Sequence, residues 1–196
     1  MGLRYNKLPF LNECFHGFED PKIIKNFISH GDCDYVINIS KGKMEPSAVG
    51  VNKRVSKIRV SETYYPCNFD PVIKKIRFKC AKYTNTPLSL LENTQVTHYN
   101  MGGYYEIHKD DLGDDADGFS RQFTFIIALN DDYKGGYTEF PNINKKYKLN
   151  KGDALFFCPR SGIHNIASDL SEHCGTPVTE GEKWIVNQWI SCKKYN

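Results

Sequence analysis

His108 and Asp110 sit two residues apart in Tyr105-Glu106-Ile107-His108-Lys109-Asp110. In an extended strand, residues i and i+2 point to the same side, so this imidazole and carboxylate can converge on one point. A second imidazole from a distant strand would complete a face of two histidines and one carboxylate. Such a face leaves coordination positions open and suits non-haem Fe(II) oxygen chemistry. His164 and His173 are the candidates for the second imidazole. The pair alone is a weak signal, because a surface histidine beside an acidic turn gives the same pattern. His30 and His98 read as packing or surface residues.

The elements that must position these groups are legible in outline. The chain has 196 residues with 40% hydrophobic and 25% charged residues, an ordinary soluble globule that fits one domain over 1–196. Lys plus Arg exceeds Asp plus Glu by 26 − 23 = +3, too little to indicate a nucleic-acid binder. Seven cysteines without a CxxC pattern indicate free thiols. No secretory signal and no apolar run of membrane-spanning length is visible, so a cytoplasmic protein without a membrane partner is expected. Asp20-Pro21 reads as the start of a helix with Ile23, Ile24, Phe27 and Ile28 on one face, and Asp70-Pro71 repeats the signal with Ile73, Ile76 and Cys80. A short turn is expected over 87–91. Strands are predicted over 95–99, 104–108, 122–129, 147–149, 154–157 and 184–190. Helices first (about 1–92) and strands after (about 93–192) suggest an α+β fold, an antiparallel β core with helices packed on one side. Residues 41–80 hold ten Lys/Arg against three Asp/Glu, and 81–120 hold two against seven. That asymmetry suits either two solvated faces or a site with a basic wall and an acidic lid. Asp111, Asp114, Asp115 and Asp117 fail the EF-hand pattern, because Gly113 and Thr124 fill its first and last ligand positions. They read as a mobile polar loop.

The text around His108 is more specific. Tyr99 to Asp110 reads YxxGxxYxxHxD. Arg121-Gln122-Phe123-Thr124, Gly135-Gly136-Tyr137-Thr138-Glu139-Phe140-Pro141, Lys151-Gly152-Asp153 and His173-Cys174-Gly175-Thr176-Pro177-Val178 through Lys183-Trp184 follow in order. Together these blocks resemble the prolyl 4-hydroxylase family of 2-oxoglutarate and Fe(II)-dependent dioxygenases. The resemblance spans about 13–192 and is looser in the first half, where Phe15–Asn26 and Arg59-Val60-Ser61 carry it.

The resemblance implies a double-stranded β-helix, or jelly roll, with supporting N-terminal helices. It implies Fe(II) held by His108, Asp110 and His173, with 2-oxoglutarate and O2 as cosubstrates and ascorbate as an accessory reductant. The lysine for the distal carboxylate of 2-oxoglutarate maps onto Lys183, ten residues past His173. His164 has Cys174 at that spacing, which favours His173. Hydroxyls near that carboxylate map onto Tyr99 and Thr138. Substrate contacts map onto Tyr105, Arg121 and Trp189. On the bare pattern, Tyr99 and Trp189 also suit core positions, and Arg121 a pairing with the acidic loop. Ala128 and Val60 depart from the family, where Tyr and Thr are usual. The implied reaction is hydroxylation of peptidyl proline, of the procollagen-proline 4-dioxygenase type, with succinate and CO2 as coproducts. The alternatives are the same chemistry on a lysyl side chain or a small molecule, or a non-catalytic peptide-binding module. A proline-containing peptide or protein is the expected partner, and nucleic acid is not.

Overall fold

The computed structural model describes residues 17–49, 54–55, 57–111, 120–161 and 166–191. Its spine is the strand Lys183–Ser191, with Gln95–Tyr99 on one side and Arg121–Ala128 on the other. Ala154–Phe157 and Lys22–Ile24 extend the sheet one way, and Glu62–Tyr64 and Glu45–Pro46 the other, giving seven strands. A second sheet of five strands runs Lys145–Tyr147, Thr138–Phe140, His173–Gly175, Tyr104–His108, Arg59–Val60. All the ladders are antiparallel.

Strand alternation sorts the core into two layers. From the central strand, Trp184, Val186 and Ile190 join Phe123, Phe125, Ile127, Ala154 and Phe156 beneath the helices. Ile185, Ile126, Ala128, Leu155 and Phe157 face the other way and meet Phe140, Val178 and Tyr147 across the gap to the five-stranded sheet. Two facing antiparallel sheets with helices behind the larger one constitute the expected double-stranded β-helix.

The helix behind the sheet that the sequence marks at Asp70-Pro71 is present. Helix α2 spans Pro71–Thr84, capped by the Asp70 carboxylate on the amides of Val72 and Ile73, and buries Ile73, Ile76 and Cys80. A short 3-10 turn follows at Leu88–Leu90. The Asp20-Pro21 signal, by contrast, starts no helix. Lys22–Ile24 is an edge strand paired with Ala154–Phe157, and Asn26 then takes the left-handed conformation (φ 52°), which no helix crosses. Helix α1 begins later, at His30–Ser40, where Ser29 and Asp32 form a reciprocal capping box. The strand expected over 147–149 lies at Lys145–Tyr147, since its register is fixed by Thr138↔Tyr147 and Phe140↔Lys145 across a turn through left-handed Asn144. Arg59–Val60 and Glu62–Tyr64, which precede residue 93, pair into the five- and seven-stranded sheets respectively. The part before residue 93, expected to be helical, therefore carries short strands as well. Cys33, Cys67, Cys80, Cys158 and Cys174 are free thiols.

Phe125 is fully buried, stacked on Phe27 at 5.5 Å and against Phe156 at 4.9 Å between the sheet and the helices. Phe125→Ala is expected to destabilise the fold by about 3–5 kcal/mol, through lost burial plus the cavity left behind. A denaturant titration checks this, and a loss below about 1 kcal/mol would show that the layer repacks freely.

Candidate active site

Asp110 is buried, and its two oxygens lie 3.8 Å from His108 Nε2 and 3.9 Å from His173 Nε2. One potential ligand atom from each of the three residues falls within 4.8 Å of the others. Strand register explains the meeting. His108 ends one strand of the five-stranded sheet, His173 starts its antiparallel neighbour, and the two are direct partners. Asp110 follows two residues beyond His108.

Both imidazoles are fixed in the tautomer a metal needs. His108 Nδ1 bonds the Glu106 carbonyl at 2.8 Å, and His173 Nδ1 bonds the Ser171 carbonyl at 3.0 Å. A carbonyl only accepts, so each Nδ1 carries the proton and, in the neutral ring, each Nε2 is left as a bare donor atom facing Asp110. Burial, reinforced by neighbouring His173, pushes the His108 pKa down to about 3, so this ring stays neutral. Burial opposes ionisation of Asp110 most strongly. His173, His108 and Arg121, with a 2.7 Å hydrogen bond donated by Thr124, nevertheless hold its carboxyl below the usual carboxylate range. Two imidazoles that aim Nε2 inward and one carboxylate, on one side of a cavity, form a donor set that fits an octahedral Fe(II) with open positions.

The cavity occupies about 640 Å³ between the sheets, and Tyr99, Tyr105, His108, Asp110, Arg121, Thr138, His173, Lys183 and Trp189 all line it. Alternation delivers Lys183, Ile185, Asn187 and Trp189 to it from one strand. Lys183 is buried, and its ammonium donates to the Gly136 carbonyl at 2.7 Å. Among the described residues no carboxylate pairs with it. Burial, helped by Lys148, pulls its pKa down to about 8. A desolvated cation with only a carbonyl for company fits the far carboxylate of a small dicarboxylate. Tyr99 is Lys183's direct strand partner, with the ammonium 5.5 Å from its ring centre. Thr138 is buried at the same wall.

Tyr105 stacks on His108 with ring centres 3.6 Å apart. They are three residues apart, so regular alternation would part them. A register shift opposite His173–Gly175 inserts the extra residue that lets both face inward. Arg121 grips both oxygens of Glu92 at 2.8 Å, donates to the Asp110 carbonyl at 3.2 Å, and lies 3.9 Å from the centre of the Trp189 ring. Among the described residues it pairs with the carboxylate of Glu92, from a distant segment.

Several lining residues were absent from the sequence candidates. Arg59, 7% exposed, stacks 4.8 Å from the Tyr105 ring centre and reaches Ser61, Gln95 and Thr97. Asn187 bonds both Gln95 and Thr97 at 3.1 Å. Alternation from Tyr99 back to Gln95 and Thr97, and from Lys183 on to Asn187, was the available signal. Glu92 carried none. His98 sits on the opposite face, between Glu62 and Glu182 and stacked on Trp184. His164 and residues 112–119, with their acidic run, lie outside the described residues.

Thr124 shows how far the surroundings tune the triad. Thr124→Val keeps shape and removes the hydrogen bond that orients Asp110. Metal affinity is expected to fall roughly tenfold or more with an unchanged unfolding midpoint. A Co(II) titration followed by its visible bands reads this directly, and unchanged affinity would mean that packing alone aims the carboxylate.

Residues 94–191 match the model of the 2OG-Fe(II) oxygenase superfamily. A protein of Acanthamoeba polyphaga mimivirus that bears a prolyl 4-hydroxylase name is 33% identical over 189 residues, covering 91% of this chain and 77% of that protein. Prolyl 4-hydroxylase 2 of Arabidopsis thaliana is 29% identical, covering 89% of this chain and 68% of its own length. The viral collagen prolyl hydroxylase of Paramecium bursaria Chlorella virus-1, solved as a 2-oxoglutarate complex, superposes with a TM-score of 0.72 at 31% identity over 88% of this chain and 96% of that one. An inward-facing His-Asp-His cluster, a buried lysine across the cavity and these relatives converge: the chain belongs to the prolyl 4-hydroxylase family of the 2OG-Fe(II) oxygenase superfamily.

Proposed function

We propose that this single domain hydroxylates proline within an extended peptide, with His108, Asp110 and His173 as the iron ligands and Lys183 as the anchor of 2-oxoglutarate. The observation that carries the reading is the pairing of two unlike groups in one cavity: a convergent set of two imidazoles and a carboxylate, and a buried ammonium with no carboxylate beside it among the described residues. A dicarboxylate that chelates a metal through one end and meets an ammonium at the other satisfies both. When bound, Fe(II), 2-oxoglutarate and O2 supply the oxidation, in which 2-oxoglutarate leaves as succinate and CO2 and one oxygen is added to substrate carbon. The chain's own residues orient and exclude. His108 and His173 present Nε2 because their Nδ1 protons are committed to backbone carbonyls. Asp110 stays ionised under its hydrogen bond from Thr124. Lys183, Tyr99 and Thr138 hold the far carboxylate where water is scarce.

Substrate meets the other wall. Trp189 and Tyr105 offer ring faces to a proline, and Arg121 and Arg59 offer guanidinium edges to peptide carbonyls. Proline-rich segments are pre-ordered as polyproline II and lose little entropy on docking. The relatives named for prolyl hydroxylation support this substrate class. Among the described residues no helix is long and apolar enough to cross a membrane, and we place the protein in the cytoplasm.

Incubation with Fe(II), ascorbate, 2-oxoglutarate and proline-rich peptides is expected to yield succinate and one added oxygen localised to proline by mass spectrometry. Oxygen on lysine, or turnover only with a free small molecule, would overturn the substrate assignment. His108→Ala, Asp110→Ala and His173→Ala are each expected to abolish turnover, whereas His164→Ala retains it. Turnover that survives the first three substitutions would sink the ligand assignment.

Lys183 adds a pH dependence. Burial brings its pKa down to about 8, so 2-oxoglutarate meets a cation mainly on the acid side of that value. The KM for 2-oxoglutarate is expected to rise as pH climbs through that value. Lys183→Arg flattens the rise between about pH 7 and 9, since a guanidinium stays charged. Lys183→Ala raises the KM tenfold or much more, the effect of removing one partner of a desolvated pair, typically about 2–5 kcal/mol. A KM independent of pH in the unaltered enzyme would count against Lys183 as the anchor.

A further inference from the structure

Arg77 lies on the inner face of α2, 9% exposed. It has no carboxylate partner among the described residues. Its guanidinium donates instead to the Glu92 carbonyl at 2.5 Å, to the Leu91 carbonyl at 3.2 Å, and to the side-chain oxygens of Thr94 and Gln188 at 3.5 Å. Gln188, fully buried, accepts from Thr94 at 2.7 Å and donates to the same Glu92 carbonyl at 2.8 Å. A buried cation matched only by neutral dipoles is costly, so stability alone does not call for a charge there.

The consequence lies one residue away in space. The Glu92 backbone that Arg77 grips carries the carboxylate that grips Arg121, with Ser191 bonding Glu92 Oε1 at 3.2 Å. Arg121 in turn covers Trp189, and the Glu92 amide donates to the Trp189 carbonyl at 3.0 Å. A continuous polar chain thus runs from the helix layer through the sheet to the cavity wall.

We infer that Arg77 is a positioning residue for peptide recognition, fixing Glu92 so that its carboxylate holds Arg121 over Trp189. The inference rests on the reading of Arg121 and Trp189 as the substrate wall. Arg77 itself touches neither the His-Asp-His cluster nor Lys183, and the one link from its chain to that cluster is the Arg121 bond to the Asp110 backbone carbonyl, so its effect falls first on peptide and leaves the 2-oxoglutarate end untouched.

The test is steady-state kinetics of Arg77→Met, Arg77→Lys, Arg121→Ala and the Arg77→Met/Arg121→Ala double variant with a proline-rich peptide. Arg77→Met is expected to raise the peptide KM by roughly tenfold, with kcat changed less than about threefold and the KM for 2-oxoglutarate unmoved. Arg77→Lys, which can still donate to the two carbonyls, falls between Met and Arg. The double variant is expected to be no worse than Arg121→Ala, because Arg77 acts through that side chain. Multiplying effects in the double variant would overturn the route through Arg121. A lowered melting temperature with an unmoved peptide KM would leave Arg77 purely structural and overturn the inference. If Arg77→Met does not fold, the Arg77→Lys kinetics decide on the same criterion. Arg121→Ala with an unchanged peptide KM would instead remove the substrate wall itself, a failure distinct from an effect of Arg121 without one of Arg77.

Discussion

The central place of the Lys183–Ser191 strand constrains everything around it. It is hydrogen-bonded along both edges, so its residues can face only the helix layer or the cavity. Trp184, Val186 and Ile190 take the helix side and make that layer's core. The alternate positions then have no choice but to enter the gap between the sheets. A lysine among them becomes a buried cation, and a tryptophan six residues on becomes part of the opposite end of the same cavity. A slip of one residue would bury Trp184 in the cavity and turn Lys183 toward the helices. The neighbouring ladders prevent it, because Lys183 is paired with Tyr99 and Trp189 with Thr124.

Charge inside the cavity follows a division of labour. The two buried carboxylates that line it are held: Asp110 between two imidazoles and under Thr124, and Glu92 in the fork of Arg121. The cations Lys183 and Arg59 are not matched by carboxylates among the described residues, and they rest on carbonyl, amide and hydroxyl oxygens. Desolvated charges with weak partners gain most from an arriving ligand that completes them. The site is therefore shaped to receive a metal between a held carboxylate and two imidazoles, and acidic or carbonyl groups at its cations. Asp111, next to Asp110, is tied to buried Arg160 at 2.7 Å, which anchors the chain as it leaves the triad.

The polar chain from Arg77 to Arg121 gives the helices a second task. Their apolar faces cover the sheet, as any amphipathic helix would. Arg77 breaks the apolar face of α2, and its reach through the layer links helix packing to the geometry of the cavity wall. A change in how α2 sits on the sheet is thereby transmitted to Glu92 and, through its carboxylate, to Arg121.

Much of this was readable without coordinates, and the reason is local chemistry. The His108–Asp110 spacing puts two ligands on one side by strand geometry alone. The Asp70-Pro71 cap, the strands at 95–99, 104–108 and 154–157, and the parity of Lys183 and Trp189 all follow from short-range pattern. What failed was also local in appearance but non-local in cause. Lys22–Ile24 is a strand because an edge of Ala154–Phe157 awaits it, an interaction more than a hundred residues distant. Tyr105 shares His108's side only through a bulge set by the partner strand. Glu92 meets Arg121, and Arg77 meets Glu92, by contacts that no periodicity announces. The sequence by itself determined which residues could carry chemistry and, along a strand without a bulge, which of them share a side. Only the tertiary structure decided which distant side chains complete one another, because a buried charge is defined by its surroundings and these come from other parts of the chain.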